Sequence, residues 1–206
     1  LSILQLIAEA DDSHGFYGKK GSKTFAWRGH KFPPLIVRFI ENKLVITSFL
    51  VSSFEKETHF EIGDIVTHIN GEEISDIIAR KSKYYPASNE ASRNRNISRD
   101  ILRSNDSLIH LRIERIDSVF EKELKLISGR EYFDIFKTKN EEERDSYKML
   151  ENNIGYVTLD NILKKDVSKI KKQFKNTRGI VIDIRNYPNS FVPFTLGSYF
   201  VSQKTP

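Results

Sequence analysis

The first ten residues, LSILQLIAEA, place Leu1, Leu4, Ile7 and Ala8 at helical spacing and predict the end of an amphipathic helix. Asp11, Asp12, Ser13, His14 and Gly15 then form a polar break, with Gly15 suited to a sharp turn. GKKGSK (18–23) reads as a mobile basic loop and residues 24–27 as a short strand, while Pro33-Pro34 exclude a regular helix. From Leu35 the pattern changes. LIVRFI (35–40) and KLVITSFLV (43–51) are strands rich in β-branched and aromatic residues, with Glu41-Asn42 as the turn between them. Residues 65–69 make another strand, ending at Asn70-Gly71, the strongest hairpin signal in the chain. Helices fit 75–83 and 90–103, with Ile97 and Ile101 one turn apart in the second. After a turn at Asn105-Asp106, alternation in 107–116 and 119–127 predicts two closing strands.

Residues 129–152 are charged and weakly periodic and read as a linker. IGYVTL (154–159) is a strand, and Asp160 or Asn161 can cap the helix after it. Leu163, Val167, Ile170 and Phe174 then form one apolar stripe, with lysines filling the other faces. Gly179 ends that helix, and IVIDI (180–184) is a continuous apolar run. Strand, crossover helix and buried strand predict a βαβ unit with its two strands parallel. Such a unit folds poorly alone, so more sheet is expected outside these residues, and the apolar edge at 180–184 is expected to favour self-association.

Composition narrows the classes. The 206 residues make one large domain or two small ones, and 38% hydrophobic with 30% charged residues supports an ordinary core under a charged surface. No stretch approaches the ~18 apolar residues of a membrane span. The absence of cysteine excludes a disulfide scaffold, a thiol nucleophile and a cysteine zinc site. A net charge of +5 is small beside 33 basic and 28 acidic residues, so no nucleic-acid partner is expected. Arg95, Arg99 and Arg103 share a helical face opposite Ile97 and Ile101 and read as solvated. The five histidines (14, 30, 59, 68, 110) lack ligand spacing, so neither metal nor cofactor is expected. The start at Leu1, without a basic-then-apolar leader, reads as a processed or excised chain.

GDIVTHING followed by Glu72, Glu73 and Ile74, with two strands before it and a helix and two strands after it, resembles the PDZ domain of bacterial proteases over 33–128. The departure is a long polar insertion at about 79–96. IGYVTL, an amphipathic helix and GIVIDIRNYP resemble the opening of the catalytic domain of S41 serine peptidases, the tail-specific and tricorn-like family. Ile154, Gly155, Tyr156, Leu159, Asp183, Arg185 and Asn186 match that family's pattern. A nucleotide-binding start would need a glycine-rich loop, and Leu159-Asp160-Asn161-Ile162 has no glycine. The resemblance implies an α+β chain. Its parts are an N-terminal helical segment (1–32), a PDZ-like partly open β-barrel with flanking helices (33–128), the linker (129–152), and an incomplete α/β catalytic subdomain (153–206).

It also implies a function. A PDZ domain binds extended peptides by strand addition, often capping their C-terminal carboxylate with N–H groups. The groove here falls between Leu35, Ile36, Val37, Arg38, Phe39 and Ile40 and the helix bearing Ile97 and Ile101. The alternative is that both segments are simply core. A serine hydroxyl needs a neighbouring base, and the family's tricorn-like members supply a Ser-His pair ahead of the PDZ domain. That role carries over to His14 as base and Ser13 as its support; where a later lysine is the base, His14 is structural. Ser190, Ser198 and Ser202 lack the context of a nucleophile turn, so the serine is expected beyond residue 206 and this chain is expected to be inactive. Asn189-Ser190 stand where the family has an oxyanion-binding glycine pair, whose donor is worth ~3 kcal/mol. The implied partner is a polypeptide substrate, held by its C-terminus, and the implied location is exported. The rival reading is a non-catalytic peptide-binding scaffold with a decayed peptidase core.

Overall fold

The computed structural model describes residues 1–15, 17, 23–141 and 145–201. Contacts divide them into two units, Leu1–Asn140 and Glu141–Pro206. The first runs α1 (Ser2–Ala8), α2 (Lys23–Arg28), β1 (Lys31–Phe32), β2 (Leu35–Ile40), β3 (Lys43–Phe49), α3 (Ser52–Thr58) and β4 (Ile65–Ile69). It continues with β5 (Glu72–Glu73), α4 (Ile74–Ser82), α5 (Glu90–Ser98), β6 (Leu108–Arg115), β7 (Ser118–Lys125), β8 (Ile127–Ser128) and α6 (Gly129–Glu141). The second holds β9 (Tyr147–Leu150), a 3-10 turn (Glu151–Asn153), β10 (Ile154–Thr158), α7 (Asp166–Gln173), β11 (Gly179–Asp183) and α8 (Pro193–Gly197).

In the first unit an antiparallel sheet runs β2-β3-β4-β6-β7, with β5 on β4. Strand alternation sends Val37, Ile46, Leu111, Ile113 and Leu124 to one face, where Ile77, Ile97 and Ile101 close the core. Each such burial contributes about 2 kcal/mol. The turns follow their chemistry: Glu41 and Asn42 take φ of 49° and 63°, and Asn70 and Gly71 take 51° and 82°, as tight hairpins require. Gly63, at φ 103°, turns the chain so that Asp64 enters the interior. There its carboxylate accepts from Arg115 Nε (2.6 Å) and Nη2 (2.8 Å) and from the Glu61 N–H (2.9 Å). No sheet closes into a barrel, and helices flank the strands: a mixed α+β, PDZ-like, partly open arrangement.

Several local expectations change. Residues 24–27 are helical, within α2, because Gly29 at φ 103° stops the helix and Phe25 and Trp27 pack into different aromatic groups. The predicted second helix stops at Ser98, and Ile101 lies in the turns beyond it, where the Arg103 side chain returns to Gly29. The Arg103 side chain is accordingly buried, whereas Arg95 and Arg99 are exposed. The stretch read as a linker carries α6, whose Tyr132 stacks on Phe32 at 4.4 Å, and β9. Of the basic loop at 18–23, all but Lys23 lies outside the described residues.

The second unit has the parallel pair that its pattern predicts. β10 and β11 align from Ile154↔Gly179 to Thr158↔Asp183, and β9 joins β10 antiparallel. The helix starts later than Asp160: α7 begins at Asp166, whose buried carboxylate accepts from the Leu163 N–H and the Ser146 hydroxyl. Leu163 therefore falls outside the helix and is exposed, and Ile162 takes its place in the core beside Val167, Ile170 and Phe174.

Candidate functional site

Residues 11–15 are fastened to the α4–α5 connection. The Ser13 N–H donates to the Ser88 hydroxyl (3.1 Å), and the Ser88 N–H donates back to Ser13 Oγ (3.0 Å). Arg93 Nη2 reaches Asp11 at 2.9 Å. The turn is closely packed at Gly15, where a Cβ would stand 3.1 Å from Ile7 Cγ2 and 3.2 Å from the Asp12 carbonyl oxygen. The polar insertion at 79–96 thus supplies the seat for this segment. His14 projects into solvent, its side chain 96% exposed. The Asp12 carboxylate accepts both the His14 N–H (2.9 Å) and Nδ1–H (3.0 Å). Those two contacts hold the Asp12 carboxyl below its ordinary range, the backbone donor being the larger cause. Because a carboxylate can only accept, the neutral imidazole carries its proton on Nδ1 and offers Nε2 as a free base. Ser13 does not touch His14; the orienting group is Asp12, which the sequence reading left out of the site.

β2 is an edge strand, paired among the described residues with β3 alone. Apart from the sheet bonds to β3 and the Ile36 carbonyl, which accepts from the Thr47 hydroxyl (3.2 Å), no backbone group of 35–40 has a partner among the described residues. The Leu50 N–H donates to the Pro34 carbonyl (2.9 Å), which makes Leu35–Phe49 a non-hydrogen-bonded pair. The N–H and C=O of Leu35 therefore face the free edge. Leu35 and Val37 are core, Ile36 and Phe39 half-buried, Arg38 and Ile40 exposed. α5 packs beside the strand, but Ile97 (0% exposed) and Ile101 (4%) are sealed in the core and present nothing to a ligand. The opposite edge, β7, carries Glu121, Lys122, Glu123 and Lys125, charges that discourage strand addition.

In the second unit three of the matched residues, Tyr156, Asp183 and Arg185, form one network. Asp183 accepts the Tyr156 hydroxyl (2.6 Å), Arg185 Nε (2.9 Å), Arg185 Nη2 (2.6 Å) and the Arg185 N–H (3.1 Å). The Arg185 guanidinium foremost, then the tyrosine, hold the Asp183 carboxyl far below the usual carboxylate range. Asn186 and Thr158 both donate to Asp160. At the oxyanion candidates, neither Asn189 nor Ser190 takes positive φ. The Asn189 N–H is already spent on the Leu159 carbonyl (3.0 Å), which removes it as a donor, while the Ser190 N–H has no partner among the described residues.

Two features escaped sequence reasoning. Asp100, buried, accepts from Arg103 Nη1 (2.8 Å) and the Tyr85 hydroxyl (3.1 Å), and Arg28 Nε stands 3.4 Å away. The Arg103 guanidinium also lies over Phe25 (4.6 Å) and Phe32 (4.3 Å), clamping α2 to the sheet unit. An open hollow of about 460 Å³ over β4, β6 and β7 is lined by His68, Asn70, His110, Arg112 and Glu121, and holds none of the predicted site residues.

No family model matches the sequence, and no curated protein matches it. Among solved structures, mature CPAF aligns with 82% of this chain at 11% identity and a TM-score of 0.52, a likeness of fold. This chain spans only 43% of that protein. A PDZ domain protein from Parabacteroides distasonis (10% identity, 75% of this chain and 39% of that one) has a TM-score of 0.36. A Bacteroides fragilis protein assigned to the S41 proteases (13% identity, 92% and 55%) has a TM-score of 0.24. Both scores lie below the level at which a shared fold follows.

Proposed function

We propose that this chain is the peptide-gripping portion of a serine peptidase of the S41 kind, which takes extended polypeptide on β2 and cleaves it with a serine outside these 206 residues. The observation that carries the reading is β2 itself: an apolar edge strand with outward-facing backbone groups, in a sheet whose other edge is guarded by charge. Main-chain pairing along such an edge supplies affinity for polypeptide of many sequences. His14 then serves as general base. Asp12 orients it and leaves Nε2 free to take a proton from the attacking hydroxyl, which becomes acylated and is released by water.

Hydrogen exchange tests the grip. An extended peptide bound at β2 slows exchange at the Leu35 amide and along 35–40; protection elsewhere with none on β2 overturns the reading. This chain alone hydrolyses no labelled casein. In the intact polypeptide, His14→Ala lowers kcat by about 10²–10⁴ with little change in KM. One observation favours the non-catalytic reading instead: the engaged Asn189 N–H, which leaves the oxyanion loop a single donor. An intact polypeptide that binds peptides but gives no turnover and no acylation by a fluorophosphonate would establish that alternative.

A further inference from the structure

Any ligand strand has two ends, and β2 does not treat them alike. A strand added antiparallel to β2 brings its C-terminal end to the residues that lead into Leu35. Capture of a terminal carboxylate at that point needs successive N–H groups turned toward it, or a fixed cation. The backbone donors there can be followed one by one. The Gly29 N–H donates to the Ala26 carbonyl (3.2 Å), that of His30 to Asn105 Oδ1 (3.2 Å), and that of Lys31 to the Ser104 carbonyl (2.8 Å). Phe32 follows Lys31 in the strand, so its N–H points the opposite way, into the ladder with β8. Pro33 and Pro34 have no N–H. Leu35 then offers one donor, isolated, at the place where a main-chain ladder would use it.

The fixed cations described there already have a counter-charge in Asp100. Arg103 is committed to the Gly29 carbonyl (2.6 Å) and to Asp100 (2.8 Å), and Arg28 stands beside Asp100 at 3.4 Å. Among the described residues leading into β2, Lys31 remains, but an ammonium on a flexible stem adds at most about 1 kcal/mol, roughly fivefold in affinity. Arg38 is exposed and makes no ion pair among the described residues, yet it stands in mid-strand, where it meets a ligand side chain and not a chain end.

We propose that the β2 edge recognises an internal stretch of an extended polypeptide and does not read a C-terminal carboxylate. The inference rests on strand addition at β2 and reverses the expectation of C-terminal capture that the PDZ resemblance carries. Recognition of this kind admits substrates from within a long unfolded chain, with acidic side chains favoured opposite Arg38.

Fluorescence anisotropy with labelled decapeptides tiled from casein decides it. Each peptide that binds is compared as the free acid, as the C-terminal amide, and with a Gly-Ser extension that makes its last residue internal. The expected result is three dissociation constants within about fivefold of one another, with hydrogen exchange slowed at 35–40 in all three complexes. A free acid bound tenfold or more tightly, with β2 still protected, overturns the internal reading and leaves strand addition standing. Binding that leaves β2 unprotected, or no binding by any form, overturns strand addition and this inference with it.

Discussion

Gly155 is the position where sequence, packing and the βαβ fold meet most tightly. It lies in β10 beneath the last turn of α7, and a Cβ built on it would stand 2.5, 2.7 and 2.8 Å from Cδ2, Cε2 and Cγ of Phe174. Carbon contacts settle at about 3.5–4.0 Å, so Gly155→Ala requires the ring and Cβ to part by roughly 1 Å. The ring has nowhere to go. Phe174 is 2% exposed, packed with Val157, Ile162, Ile170 and Leu196 and edge-on to Tyr147 at 6.0 Å. Overpacking of this kind costs about 1–3 kcal/mol, and the rigidity of the neighbours puts the loss at the upper end. For a unit of this size that is a fall in Tm of roughly 10 °C or more. Urea denaturation measures the loss, and hydrogen exchange in 147–158 and 166–183 locates it. Phe174→Leu frees the space, so the double variant should recover at least 1 kcal/mol relative to the sum of the single changes. A Gly155→Ala variant within 0.5 kcal/mol of the parent, or strict additivity with Phe174→Leu, refutes the reasoning.

Two further outcomes are expected. Asp100→Ala leaves Arg103 and the Tyr85 hydroxyl without their shared acceptor and Arg28 without its counter-charge; a loss of about 3–5 kcal/mol follows in urea denaturation followed by Trp27 fluorescence, and a loss below 1 kcal/mol contradicts the clamp. The folded Asp12 carboxyl lies below its unfolded value, so its contribution is fully present above about pH 4 and is lost as pH falls through the folded value. Ring 15N shifts at about pH 9 should accordingly show His14 protonated on Nδ1, and Asp12→Asn should erase that bias; an Nε2–H tautomer in the parent contradicts the pairing.

Where one interaction dictates local structure, the sequence was legible. Asn70-Gly71 demanded positive φ and made a hairpin, and IVIDI between polar flanks made a strand parallel to IGYVT. The failures share a cause, which is tertiary partners distant in sequence. Residues 24–27 alternate as a strand would, but Arg103 and Asn105, some 75 positions away, accept the end of a helix there by donating to Gly29 and Ala26 carbonyls. The helix after β10 starts at Asp166 and not at Asp160, because Asp160 is taken by Thr158 and Asn186. At the candidate site, His14 could be named only through the family resemblance, and the seat of its segment on Ser88 could not be read at all, since the Ser13–Ser88 contact joins residues 75 positions apart.

The same distinction bears on what the matched motif means. Gly155 is required by Phe174, and Tyr156, Asp183 and Arg185 satisfy one another across β10 and β11. Each has a complete physical explanation inside the βαβ unit, so their presence argues for the fold and is neutral about turnover. Evidence for chemistry must come from groups the fold does not consume. Among the described residues, the Nε2 of His14, the N–H of Ser190 and the outer edge of β2 are such groups. The proposed function assigns them the roles of base, single oxyanion donor and strand-binding edge, which an acyl-transfer enzyme acting on polypeptide needs besides its nucleophile. A scaffold needs only the last. His14 therefore discriminates between the two proposals, since the enzyme needs its imidazole and the scaffold does not.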